Sequence, residues 1–144
     1  MVTVRQCLKN KGNRIWSIHP DATVYQALQL MAEKDVGALL VIEGESVVGI
    51  FSERDYARKV ILHGKTSRET PVREIMTQQV IFVDIDQSIA DCMALMTNRH
   101  IRHLPVLEGD RLAGVISIGD VVKEIIAEQE HVITQLENYI TGQR

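Results

Sequence analysis

The sequence predicts an α/β fold in which one β-α-β-β-α unit occurs twice, and three observations carry that prediction. Sliding the chain against itself gives a gap-free match at an offset of 65, which pairs Asp21 with Asp86, Met31 with Met96, Val41 with Val106, Glu43-Gly44 with Glu108-Gly109, Gly49 with Gly114, Ser52 with Ser117 and Asp55 with Asp120. Apolar positions keep the same register: Val24 falls on Ile89, Leu28 on Met93, Leu39 on Leu104, Val47 on Leu112 and Ile50 on Val115. Within each copy, helical spacing of three and four alternates with short apolar runs bounded by Gly, Pro and Asp. A self-match at fixed period decides the architecture before any single element is assigned.

The elements follow in order. A lead-in, Val4-Arg5-Gln6-Cys7-Leu8, recurs as Val72-Arg73-Glu74-Ile75-Met76 at an offset of 68, the shift reflecting connecting loops of different length. Ile15 to Ile18 is β-prone, Pro20-Asp21 breaks it, and Thr23 caps a helix whose Val24, Ala27, Leu28 and Met31 share one side. Gly37 to Ile42 reads as a strand buried on both faces, Glu43-Gly44-Glu45-Ser46 as a turn, and Val47 to Phe51 as the second arm of a hairpin. Ser52 opens a helix to about His63, and Gly64 to Pro71 is a polar linker. The second copy runs through Val80–Val83, Ser88–Asn98, His103–Leu107, the Gly109-Asp110 turn, Leu112–Ile116 and a helix from Ser117 to about Ile140. That last helix carries an apolar stripe, Val121, Val122, Ile125, Ile126, Val132, Ile133, Leu136, Tyr139 and Ile140, which either packs back on its own module or forms a helical dimer contact. The expected division is a lead-in at 1–14, repeat 1 at 15–63, a linker with the second lead-in at 64–79, repeat 2 at 80–126 and a helical extension at 127–144.

Composition narrows the function. A chain of 144 residues supports one sizeable core or two small halves joined across a shared interface. With 45% hydrophobic but only 4% aromatic residues, the core must be built from Val, Ile, Leu, Met and Ala. A net charge of −3 provides no basic field for nucleic acid or an anionic membrane surface, although a local basic cluster can still bind a small anion. Cys7 and Cys92 fit neither a metal-ligand nor a disulfide framework, and the N-terminal residues lack a signal peptide's apolar stretch, so a reduced, cytoplasmic setting is expected. The longest apolar run, Val36 to Ile42, has roughly a third of the ~20 residues that a membrane-spanning helix needs.

Two heptapeptides carry the chemistry: Gly49-Ile50-Phe51-Ser52-Glu53-Arg54-Asp55 and Gly114-Val115-Ile116-Ser117-Ile118-Gly119-Asp120. A serine at a helix start places a hydroxyl beside unpaired backbone N–H groups at the positive end of the helix dipole, where a phosphate is stabilised. An aspartate three residues on lies one turn away and can accept both hydroxyls of a vicinal diol such as a ribose. Ser52 with Asp55 and Ser117 with Asp120 suit these roles; the alternative is a capping box, in which the two side chains satisfy the helix's own N–H groups.

Both heptapeptides resemble the G-h-h-S/T-x-x-D signature of CBS domains, and His103-Leu104-Pro105-Val106 is similar to a strand common in bacterial members. The resemblance covers Val4 to about Ile126 and implies a tandem pair, or Bateman module, whose copies pack through their strands with pseudo-two-fold symmetry and leave two clefts for adenine nucleotides. It implies a nucleotide ligand, AMP first, with ADP, ATP, NAD or S-adenosylmethionine sharing the same adenosine, and no metal. The adenine would lie near Ile15-Trp16 and Val80-Ile81, positions that ordinary core packing also explains. Arg99-His100-Ile101-Arg102-His103 gives one half a cationic cluster, where the other has Lys34-Asp35-Val36-Gly37-Ala38. Arg102 and His103 are the candidate phosphate contacts, or else a solvated surface cluster. Arg54 adds a forked donor to the first motif, where the second has Gly119.

Three functions follow in order of preference: a regulatory nucleotide-binding module read by an effector protein, a ligand-free dimerisation unit, and an enzyme acting on nucleotides. The last lacks a nucleophile elbow, a zinc-binding His-Glu-x-x-His and a Walker loop. Homodimerisation through helical faces is expected in either of the first two.

Overall fold

The computed structural model describes residues 1–12 and 14–142. In chain order the elements are α1 (Val4–Lys11), β1 (Ser17–Ile18), α2 (Val24–Lys34), β2 (Ala38–Glu43), β3 (Ser46–Ser52), α3 (Glu53–Asp55) widening into a π-helical stretch (Tyr56–Ile61), α4 (Val72–Ile75), β4 (Val83–Asp84), α5 (Ile89–Arg99), β5 (His103–Glu108), β6 (Arg111–Ser117) and α6 (Ile118–Thr141). They form two units: Ile15–Val80, and a discontinuous one made of Met1–Arg14 with Ile81–Arg144.

In the Ile15–Val80 unit, β1 pairs parallel with β2, and β2 antiparallel with β3. The central position of β2 explains its three consecutive buried residues, Leu39, Leu40 and Val41. Thr23 caps α2 through a reciprocal box with Gln26, and α2 ends where Asp35 turns left-handed at φ 54°. Val24, Ala27, Met31, Leu39, Val41, Phe51 and Val60 pack with Val72, Ile75 and Met76 of the second lead-in. Backbone bonds fix that lead-in: Val24 N–H donates to the Thr70 carbonyl (2.9 Å), and Val72 and Arg73 N–H to Ala22 and Pro20 (both 2.8 Å). Arg73 bridges Asp21 (3.1 Å) and Glu43 (2.8 Å).

The other unit repeats the strand pairing and the packing with the first lead-in in place of the second. β4 pairs parallel with β5, and β5 antiparallel with β6. Ser88 caps α5, which ends in a left-handed His100 at φ 55°. Val4, Cys7 and Leu8 of α1 are buried with Val83, Ile89, Cys92, Met96, Leu104, Val106, Ile116 and Val121. Val4 and Arg5 N–H donate to Gln87 (2.9 Å) and Ile85 (2.8 Å), Ile89 N–H donates to Val2 (2.9 Å), and Arg5 bridges Asp86 (3.1 Å) and Glu108 (2.8 Å). The lead-in at the chain's start thus completes the second repeat, and the one between the repeats completes the first.

The same contacts account for the glycine in each heptapeptide. A Cβ on Gly114 would come within 2.9 Å of Leu8 Cδ2, and one on Gly49 within 2.7 Å of Met76 Sδ and 3.0 Å of the Thr77 carbonyl. Each lead-in seats a hydrophobic side chain against its strand's bare α-carbon.

Two expectations need adjusting. The strand expected over Ile15–Ile18 is confined to Ser17–Ile18, paired with Leu40 and Val41, and the one expected over Val80–Val83 lies at Val83–Asp84, paired with Val106 and Leu107, the Val80 N–H being turned to the Gln78 carbonyl. The helix expected from Ser52 to about His63 is α-helical for one turn only, and the widened turns after it bury Val60 and carry Lys59 Nζ to the Ile75 carbonyl (3.1 Å).

Candidate functional site

Each serine-aspartate pair stands where a strand hands the chain to a helix. At Ser117 the backbone is extended (φ −100°, ψ 166°), so its hydroxyl faces the first turn of α6 and accepts from the Asp120 N–H (3.3 Å). Asp120 Oδ2 accepts in return from the Ser117 N–H (2.8 Å) and hydroxyl (3.0 Å). Ser52 and Asp55 make the same box: the Asp55 N–H to Ser52 Oγ at 3.2 Å, and Ser52 N–H and hydroxyl to Asp55 Oδ2 at 3.0 and 3.1 Å. The capping geometry is present at both sites. Any ligand role for these pairs has to be compatible with it.

What surrounds the two carboxylates differs. Asp55 is buried, its side chain 10% exposed, and its second oxygen Oδ1 is taken by the Thr77 hydroxyl (3.0 Å) and by Lys59 Nζ (3.1 Å), one turn along the same helix. The Asp120 side chain is 23% exposed, and its cation comes from across the unit: Lys11, at the end of α1, places Nζ 2.6 Å from Oδ2 and 2.6 Å from the Val115 carbonyl. At the position matching Lys59 the second copy has Glu124, which accepts from Asn10 Nδ2 at 3.0 Å.

His103 joins this group because its Cα pairs with Ser117 across the β5–β6 ladder. Burial pushes its imidazole below the usual histidine range, the Lys11 and Arg102 charges push it further, and Asp120 opposes them in part. Burial alone would raise the Asp120 carboxyl, but the bonds from Lys11 and Ser117 outweigh it and hold it below the usual carboxylate range. Arg102 is exposed, and its carbonyl anchors the helix start by accepting from the Ile118 N–H at 2.8 Å. Lys11, Arg102, His103, Ser117 and Asp120 therefore form one cluster in a single unit.

The remaining candidates are placed as follows. Arg54 is exposed in the first turn of α3. Ile15 and Trp16 are half-buried ahead of β1; the Trp16 carbonyl accepts from Leu40 N–H (3.2 Å), and its ring lies 4.6 Å from Lys34 Nζ while packing on the unit's core. Val80 spends its N–H on the Gln78 carbonyl (3.1 Å), and Ile81 packs against the core containing Val83. A shallow recess of about 480 Å³ is lined by Leu28, Met31, Ala32, Asp35, Val36, Gly37, Glu53 and Tyr56. Its only charges are acidic and none of the candidates lines it, so it is the wrong place for an anionic ligand. The Cys7 and Cys92 thiols are buried and pushed up to about 11, which makes them poor nucleophiles. No group of three or more His, Cys, Asp or Glu among the described residues is placed to hold a metal ion, and no helix among them is long and apolar enough to cross a membrane.

Sequence reasoning missed Lys59, Thr77 and Lys11. Lys59 was readable, since i, i+4 from Asp55 is a helix-neighbour spacing. Lys11 stands 109 positions from Asp120 and carried no local signal.

Fold and site together define a paired α/β repeat whose strand-to-helix junctions each present a capped Ser/Asp couple. The CBS-domain family model matches residues 13–62 and again 72–127, and the chain belongs to that family. It is 37% identical over 150 residues to the mitochondrial CBS domain-containing protein CBSX3 of Arabidopsis thaliana, covering 97% of this chain and 72% of that one. With the CBS domain-containing protein YhcV of Bacillus subtilis it shares 30% identity over 107 residues, 74% of this chain and 76% of the relative. A solved structure of a candidate signal-transduction protein with CBS domains from Burkholderia ambifaria is 52% identical and superposes with a TM-score of 0.86 over 89% of this chain and 96% of that one. None of these three carries an enzyme name.

Proposed function

We propose that this chain is a regulatory module that binds an adenine nucleotide, AMP in the first instance, in a cytoplasmic setting, and that the Asp120 side of it is the ligand-competent one. The observation that supports this reading is the gathering of Lys11, Arg102 and His103 around a partly exposed carboxylate at the start of a 24-residue helix. Such a group offers a carboxylate acceptor for a diol and cationic partners in Lys11 and Arg102 within one unit. Asp55, buried and already holding four donors, serves the fold instead. AMP, ADP, ATP and NAD are all admitted by this chemistry. The test is equilibrium dialysis of AMP, ATP, GMP and CMP against the purified chain, with mass spectrometry of any small molecule released on denaturation. Adenine compounds should bind most tightly; equal binding of GMP and CMP would sink the adenine reading.

A homodimer belongs to the same proposal. Along α6, Val122, Ile126, Ile133, Leu136 and Ile140 are exposed and recur at spacings of three and four, with Gln129 in the same series. That is the seam of a two-stranded helical contact, and a second copy of the chain offers the matching seam. Truncation after Glu128 is expected to shift the dimer toward monomer in light scattering at tens of micromolar; a full-length chain that is monomeric under those conditions removes this part of the proposal. A specific output, through an effector protein or through assembly state, would follow from ligand-dependent change in that dimer.

A further inference from the structure

We infer that Lys11 is the specificity-determining residue of the Asp120 site, admitting a ribose only when the ligand also brings an anion. This rests on Asp120 being the ligand carboxylate. Oδ2 of Asp120 already accepts from three donors, the Ser117 N–H, the Ser117 hydroxyl and Lys11 Nζ, more than its two lone pairs accommodate well. A vicinal diol needs both carboxylate oxygens, and the two serine bonds are built into the helix cap. Lys11 is therefore the donor that must yield. Its side chain is 34% exposed and its other partner is a neutral carbonyl, so a neutral nucleoside that displaces it from Asp120 breaks the direct ion pair and offers the ammonium nothing in exchange. A phosphorylated nucleoside restores the balance by supplying an anion for Lys11. At the other copy the lysine sits on the same helix as its aspartate and both oxygens are engaged, so no such exchange is built there.

The experiment is calorimetric titration of adenosine and of AMP into the full-length wild type, Lys11→Met, Lys11→Gln and Lys11→Arg, each checked for folding by circular dichroism. In the wild type AMP should bind more tightly than adenosine. Removing the charge, as Met or as Gln, should tighten adenosine about 2- to 5-fold, the range set by a partly exposed ion pair. The same change should weaken AMP about 5-fold or more, while Lys11→Arg keeps the wild-type preference. If AMP binds the wild type and the neutral variants leave the AMP-to-adenosine ratio unchanged, or weaken both ligands alike, the role of Lys11 is overturned and the nucleotide reading stands. If neither compound binds the wild type, the nucleotide reading fails and this inference falls with it.

Discussion

Asp120→Ala is expected to weaken AMP binding by about 10- to 150-fold, while Asp55→Ala is expected to act on folding and leave that site's affinity almost unchanged. The first figure is the loss of charge-assisted hydrogen bonds to a diol, about 1.5–3 kcal/mol. Asp120→Ala also removes the acceptor of the Ser117 N–H, which as a partly exposed cap contributes about 1 kcal/mol. Asp55 is different because it is buried and holds the Ser52 N–H and hydroxyl, the Thr77 hydroxyl and Lys59. Deleting it leaves the half-buried Ser52 and Thr77 donors without their acceptor, at a cost of ~2–4 kcal/mol. Calorimetric titration of AMP and urea denaturation of both variants separate the effects. Equal loss of affinity in the two would show that the copies are functionally equivalent, and unchanged AMP affinity in Asp120→Ala would reduce that motif to a cap.

Leu8→Ala is expected to cost about 2–5 kcal/mol of stability, the range for emptying a buried leucine site. Leu8 is 6% exposed, packs in the core that Ile89, Met96 and Leu104 share, and sits against the α-carbon of Gly114. The backbone glycine cannot close the gap, so a cavity remains. Lys9→Ala, one residue on and facing solvent, should stay within about 0.5 kcal/mol of the wild type. Urea unfolding followed by far-ultraviolet circular dichroism checks both. If Leu8→Ala unfolds at the Lys9→Ala midpoint, the first lead-in contributes nothing to the core of the second repeat.

The sequence by itself determined the repetition and most of the elements, though not the π-helical stretch after Asp55. Helix starts at Thr23 and Ser88, the Gly44 and Gly109 turns, and the doubly buried β2 and β5 all follow from terms acting within a few residues: caps, positive φ and the period of the apolar pattern. It also exposed Asp21/Asp86 and Glu43/Glu108 as repeated identities without giving their purpose. Only the tertiary structure decided that these carboxylates receive Arg73 and Arg5, that each lead-in completes the repeat it does not directly precede, and that Lys11 reaches Asp120. The two lead-ins share a Val-Arg start and an amphipathic pattern, so locally either suits either repeat. The choice is made by chain reach, by backbone pairing such as Arg5 with Ile85 and Arg73 with Pro20, and by the seating of Leu8 on Gly114 and Met76 on Gly49. Those are long-range terms whose energy exists only once the sheets have formed, and no periodicity along the chain encodes them.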